Sequence, residues 1–221
     1  MTSTPQEAVG SRFDPKLMQH ARERTWQALR GIRERMQPGI SEEEARIAAA
    51  EVFRELGMER LWHPVIIRIG ANTTLTYREP SDASVRLGEN DIYFIDLGLV
   101  FAGHEGDAGD TFVTGHSPQK QACADAAREL FQLVAGAWRS RGLTGEALYA
   151  FAEQQAEAMG WRLNHEIKGH RVSDFPHSVH KAGDLGELGE RPSGGLWILE
   201  IQITHPTEAY GAFYEDLLTI D

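Results

Sequence analysis

Four carboxylates sit inside segments that should be buried. Asp96 interrupts the apolar run from Ile92 to Phe101, Glu200 lies within Leu196 to Ile203, and Glu215 lies within Ala212 to Ile220. Asp107 stands at the mouth of a return strand, Thr111 to Thr114, after Gly103 and Gly106 turn the chain. A buried carboxylate is costly unless it is paired or bound to a metal, and no Lys or Arg lies between Asp96 and Asp107. One reading makes Asp107 and Asp110 turn residues, with Asp96 capping a local hydrogen bond. The other brings the four acids together. They would then repel and raise each other's pKa, and two divalent cations about 3.5–4 Å apart would cancel the charge. A carboxylate-rich set suits Mn, Co or Fe(II), with Zn the less favoured ion for want of Cys and His. His170, after Gly169 in a Gly- and His-rich loop, is a candidate to complete the shell.

The elements that must position these groups are legible in outline. Residues 1–12 are polar and patternless and read as a mobile tail. Asp14-Pro15 opens a first helix with an inner face from Leu17 through Ile32 to Met36, ended by Pro38-Gly39. Ser41 with Glu44 is a capping box for a second helix that stops at Gly57. A strand is expected over Trp62 to Ile67, a turn at Gly70 to Thr73, and a short edge strand over Thr74 to Arg78. Ser117-Pro118 and Thr144 open two more helices, ending near Gly142 and Gly160. The order helix, helix, strands thus occurs twice, which suggests an internal duplication. His104-Glu105 reads as a solvated turn, and Asp184 to Glu190, with His180-Lys181 before it, as an exposed loop placed to cover the site.

Composition narrows the function. The chain has 221 residues, 41% of them hydrophobic, and a formal net charge of -11. That charge argues against nucleic acid or an anionic membrane as a partner. No apolar stretch approaches the roughly 18 residues a membrane helix needs, and the N-terminus lacks a signal-peptide pattern. One cysteine, Cys123, excludes an internal disulfide and a cysteine zinc site. A cytoplasmic setting is the expectation.

Asp96, Asp107 eleven residues on, Gly169-His170, Glu200 and Glu215 resemble, in order and spacing, the ligand pattern of the pita-bread metallopeptidases. That superfamily includes methionine aminopeptidase, aminopeptidase P, prolidase and creatinase. Pro38-Gly39, Gly70-Ala71-Asn72, Thr111-Phe112 and Gly115 add to the likeness, which covers about residues 14 to 221. The resemblance implies an α+β pita-bread fold: two pseudo-symmetric helix-helix-sheet halves around a central antiparallel sheet, here one catalytic domain over residues 13–221 without the extra N-terminal domain of prolidase or creatinase. It implies that Asp96 binds one metal, that His170 and Glu200 bind the other, and that Asp107 and Glu215 bridge both. A metal-bridging hydroxide would attack a carbonyl carbon, Glu200 would shuttle its proton, and His177 would donate a hydrogen bond to the substrate.

The departures fall on the substrate side. Where family members carry a histidine near Tyr77, this chain has Thr76, and His63 is the candidate catalytic substitute. Small residues are usual after His170; here Arg171-Val172-Ser173-Asp174 follow. Methionine aminopeptidases place a proline after the Glu200 position, where Ile201 stands here. Arg171, Thr76 and Tyr77 are therefore the expected substrate-binding residues, with Arg171 poised to pair with a substrate carboxylate. The resemblance implies a dinuclear hydrolase cutting a peptide or amide C–N bond near a free N-terminus, acting on a small peptide or amino-acid-derived substrate. The altered pocket keeps open a creatinase-like enzyme acting on a small amine or metabolite. A binding protein on the same fold is the third reading, against which the full ligand set counts. A homodimer is left open.

Overall fold

A computed structural model describes residues 5–176 and 183–220. Helix α1 (Pro15–Arg33) begins where expected: the Asp14 side chain accepts from Lys16 N, and Pro15 occupies the first turn. Its buried face, Met18, Ala21, Thr25, Ala28, Leu29 and Ile32, follows the three-to-four spacing of one helix face. Helix α2 (Glu42–Leu56) has the reciprocal Ser41–Glu44 capping box and ends at left-handed Gly57. Helices α3 (Pro118–Arg141) and α4 (Gly145–Ala158) start after Ser117 and Thr144.

Among the described residues, eight strands form one antiparallel sheet. They are β1 (Arg60–Leu61), β2 (Ile66–Ile69), β3 (Ile92–Phe101), β4 (His104–Val113), β5 (Arg162–Leu163), β6 (His170–Arg171), β7 (Trp197–Thr204) and β8 (Gly211–Leu217). Their order is β1-β3-β4-β8-β7-β5, with β2 on β3 and β6 on β7. Two long hairpins, β3-β4 and β7-β8, therefore meet at the β4–β8 seam. Each hairpin has its own core. Ile95, Leu97 and Leu99 pack with α1 and α2, whereas Leu199, Ile201 and Ile203 pack with α3 and α4. This is the duplicated helix-helix-sheet arrangement, and the helices leave the opposite face of the hairpins for the site. No helix among the described residues is long and apolar enough to cross a membrane.

The structure corrects several local expectations. Pro64 has no N–H for a ladder, and the strand expected over Trp62 to Ile67 forms only from Ile66, as the start of β2, with Trp62 to Val65 irregular between it and β1. Thr74 to Arg78 is not a strand. Residues Gly70–Thr74 form a 3-10 turn, and the chain beyond is clasped by Arg68, which donates to the carbonyls of Thr76 and Glu79, while Thr76 N donates to Glu79. The β3-β4 hairpin turns on Ala102 and Gly103, both with positive φ, as a two-residue turn requires. Gly106 is instead inside β4, where an added Cβ would lie 2.4 Å from the Ala21 carbonyl oxygen of α1. Asp107 is consequently at mid-strand and not at a strand mouth.

His104 and Glu105 are buried, not solvated: His104 Nε2 accepts from Asp14 N, and Glu105 accepts from Ser173 N. The segment read as an exposed loop over residues 184–190 anchors itself through buried Leu185 and Leu188, and Leu185 N donates to the Gly169 carbonyl. Residues 5–12, patternless in sequence, are mostly exposed but tied down at two points. Glu7 is buried and accepts from Ser193 N and from the Trp197 indole, and Gly10 N donates to Asp174.

Candidate metal centre

Strand register gathers the four acids. Asp96 on β3 faces Gly109 on β4, Gly109 faces Glu215 on β8, and Glu215 faces Glu200 on β7. Partners directly across an antiparallel ladder project to the same face, and alternate residues along a strand do too. Asp107, two residues before Gly109 and opposite Gly98, joins that face. So does His170 on β6, which pairs with Ile198, two residues before Glu200. The neighbouring acids Asp110 and Asp216 point the other way, where each meets a base: Arg128 of α3 donates to Asp110, and Arg22 of α1 pairs with Asp216. The turn reading of Asp107 and Asp110 is thereby replaced. Both lie in β4, and the two have different partners.

The site-facing acids have no such base. Asp96 Oδ1, both Asp107 oxygens and Glu215 Oε1 are buried without an aligned hydrogen-bond donor. The cations nearest them are two imidazoles. His170 Nε2 is 3.0 Å from Asp107 Oδ2, and His63 Nε2 is 3.4 Å from Asp96 Oδ1 and 3.5 Å from Asp107 Oδ1. Among the described residues, two groups place three ligand atoms within 4.8 Å of one another: His63, Asp96 and Asp107, and Asp107, His170 and Glu215. Asp107 belongs to both, consistent with a bridging carboxylate. Glu200 belongs to neither group but lines the same cavity, held by Tyr149 of α4, whose hydroxyl donates to the Glu200 carbonyl.

Electrostatics follow from this crowding. Burial raises the Asp96 carboxyl to about 6, with His63 partly opposing. Burial likewise raises Glu200 to about 7, and pushes Glu215 well above the usual carboxylate range, with Asp107 and Asp96 adding to the effect. Asp107 goes the other way. Burial is outweighed by its contacts with His170 and His63, which hold it at about 2. Burial at the imidazoles is overcome by Asp96 and Asp107, which lift His63 to about 10, and by Asp107, which lifts His170 to about 9. Buried acids that no Arg or Lys pairs with, two imidazoles and open ligand atoms form a donor set that fits divalent cations.

The centre opens into a cavity of about 380 Å³. Trp62, His63, Tyr77, Arg78, Lys168 and Asp184 are on its walls. Tyr77 is on the rim, paired with Arg78 through its hydroxyl. Thr76 lies behind it in a narrow crevice shared with Asp96 and Glu200, and its hydroxyl has no partner. Arg171, expected in the pocket, is not there. It follows His170 on β6 and so must face the opposite side, where it is buried and donates to the carbonyls of Gln6, Ala8, Val172 and Leu196. His177 lies outside the described residues. A larger cleft of about 520 Å³ borders Glu42 and Arg68, but its buried acid, Glu42, is already met by Ile69 N, Asn72 and Ser81.

The sequence pattern of metallopeptidase family M24 matches residues 16–221, nearly the whole chain. The chain belongs to metallopeptidase family M24. Methionine aminopeptidase of Aquifex aeolicus is 22% identical over 187 residues, covering 78% of this chain and 72% of that protein. Three solved structures share the pita-bread fold. Prolidase from Pyrococcus horikoshii superposes with a TM-score of 0.75 at 19% identity, covering 97% of this chain and 62% of its own. X-Pro aminopeptidase from Thermotoga maritima gives 0.77 at 18%, covering 96% and 60%. Methionine aminopeptidase from the same organism gives 0.69 at 16%, covering 100% and 96%. This M24 chain thus spans about three fifths of the two longer enzymes and nearly all of the third. At these identities the superpositions establish the fold, and family M24 membership rests on the sequence match.

Two site features escape sequence reasoning alone. Nothing local tells that the irregular Trp62–Val65 segment lays His63 across β3. Nor does any pattern tell that Gly98 is the residue that makes room for it.

Proposed function

We propose that the chain is a dinuclear metallohydrolase that cleaves a peptide or amide C–N bond close to a free N-terminus. The observation that carries this reading is the set of buried oxygens of Asp96, Asp107 and Glu215 that no aligned hydrogen-bond donor meets, with Asp96 and Glu215 lining an open cavity. In this reading Asp96, Asp107, His170, Glu200 and Glu215 hold two divalent ions, of which Mn, Co and Fe(II) suit the oxygen-rich donors best. Bound there, the ions supply Lewis acidity and a water made nucleophilic at neutral pH.

The protein groups do the rest. Glu200, on the wall of the same cavity, is the carboxylate placed to take a proton from the attacking water and return it to the leaving amine. The Trp62 indole donates to the Gly106 carbonyl and packs edge-on against both His63 and His170, fixing the two rings. Tyr77, Arg78 and Lys168 line the cavity in which the substrate would sit. A cavity of about 380 Å³ suits an amino-acid- or dipeptide-sized ligand. His177 is proposed as the donor to the substrate carbonyl on the strength of the sequence resemblance. The charge of -11 speaks against nucleic acid as substrate, and we place the protein in the cytoplasm.

The test is turnover of a panel of short peptides by protein loaded with Mn, Co or Fe(II), against a chelated control. Release of an N-terminal residue from Met- or Xaa-Pro peptides, abolished by chelation, supports the reading. Inertness toward all peptides, with hydrolysis of a small amide or guanidino compound, would replace it with a metabolite hydrolase.

A further inference from the structure

The family resemblance gives only one imidazole to the metal set. This chain offers a second one. His63 lies on the short irregular segment between β1 and β2, with its Nε2 3.4 Å from Asp96 Oδ1 and 3.5 Å from Asp107 Oδ1. Its other nitrogen is occupied, since Nδ1 is 2.7 Å from the Pro64 carbonyl oxygen. A carbonyl only accepts, so Nδ1 carries the proton in that contact. The remaining nitrogen then aims at two carboxylate oxygens, both buried and both without a hydrogen-bond partner. A backbone carbonyl that keeps one ring nitrogen protonated, while the other converges on acids and can exchange its proton for an ion, is the arrangement that orients a ligating histidine.

The surroundings are shaped to this ring. A Cβ on residue 98 would lie 2.0 Å from His63 Cδ2 and 2.4 Å from Nε2, so only glycine on β3 admits the imidazole. Trp62 packs edge-on against His63 at 4.6 Å and against His170 at 5.2 Å between ring centroids, holding the pair on either side of Asp107.

We propose that His63 is a sixth protein ligand of the centre, on the ion held by Asp96 and Asp107, so that each of the two ions receives one imidazole. This rests on the two-metal reading above. A further nitrogen donor fills a position that an otherwise all-oxygen site would leave to water, and it shifts that site's preference toward ions that favour imidazole.

The test uses chelator-treated full-length protein titrated with Co²⁺, followed by calorimetry and by proton NMR of the loaded protein. The expected result is two Co²⁺ per chain and two strongly shifted, solvent-exchangeable imidazole N–H signals, one from each ring. His63→Gln is expected to keep one signal and to weaken one of the two sites by about tenfold or more, and Gly98→Ala to do the same with every ligand still in place. A single shifted N–H in the wild type, or unchanged affinities and signals in His63→Gln, would overturn the assignment of His63 while leaving two bound ions. Fewer than two Co²⁺ in the wild type would overturn the two-metal reading and this one with it. Should either variant fail to fold, the wild-type signal count still decides.

Discussion

Gly109 lies directly opposite Glu215 across the β4–β8 seam, and a Cβ there would sit 2.9 Å from Glu215 Oε1 and 2.5 Å from Phe213 Cε1. The seam between the two halves is therefore also the wall that sets one candidate metal ligand. Gly109→Ala is expected to push Glu215 aside and to reduce affinity for one divalent ion by about tenfold or more. Calorimetric titration of the variant checks this, alongside a thermal melt to show that it folds. Wild-type affinity in Gly109→Ala would mean that Glu215 is not a ligand.

Arg171 stabilises the fold and leaves the chemistry alone. Its guanidinium bonds four backbone carbonyls, two of them in the segment before α1. Arg171→Ala is expected to lower stability by roughly 2–3 kcal/mol, since buried acceptors are left without donors. Metal content and KM should be unchanged. Urea denaturation and steady-state kinetics on the same preparation separate the two effects.

The centre predicts an unusual pH dependence for chelator-treated protein. Asp96 near 6, Glu200 near 7, His170 near 9 and His63 near 10 all hold protons more tightly than in the unfolded chain. The folded state therefore binds more protons, and stability falls as pH rises. For the imidazoles the contribution is complete below an unfolded pKa of about 6.5 and is lost as pH climbs through 9 to 10. Asp107, held near 2, contributes above an unfolded pKa of about 3.9 and loses that only in strong acid. Melting temperature without metal should thus decline between about pH 6 and pH 9. Added Mn²⁺ should raise it more at the higher pH, where fewer protons compete for the ligands.

Cys123 is on the buried face of α3, and burial pushes its thiol up to about 12. Alkylation at neutral pH should be negligible in the folded protein and complete in denaturant. Mass spectrometry of iodoacetamide-treated samples reads this directly.

Much of this architecture is legible in the residue order, because its signals are local. Asp14-Pro15, Ser41 with Glu44, and Thr144 each mark a helix start that the caps realise. Acids inside apolar runs mark Asp96, Glu200 and Glu215 as groups needing a partner. What the sequence leaves out depends on register. His170 and Arg171 are adjacent, and only their pairing with Ile198 and Trp197 sends one to the cavity and the other to the N-terminal segment. Gly106 has the composition of a turn, yet it serves a close approach to α1. Glu7 has no pattern around it, and its partners Ser193 and Trp197 are at the other end of the chain. His63 is placed by an irregular segment whose path no periodicity encodes.

The most direct test is the metal content of the purified protein and of Asp107→Ala, by mass spectrometry after reconstitution with Mn²⁺ or Co²⁺. Asp107 lies in both ligand groups, so the wild type should carry about two divalent ions per chain and Asp107→Ala should lose both. A wild type that takes up no divalent ion, or an Asp107→Ala variant that keeps its full complement, would contradict the assignment of this site as a dinuclear metal centre.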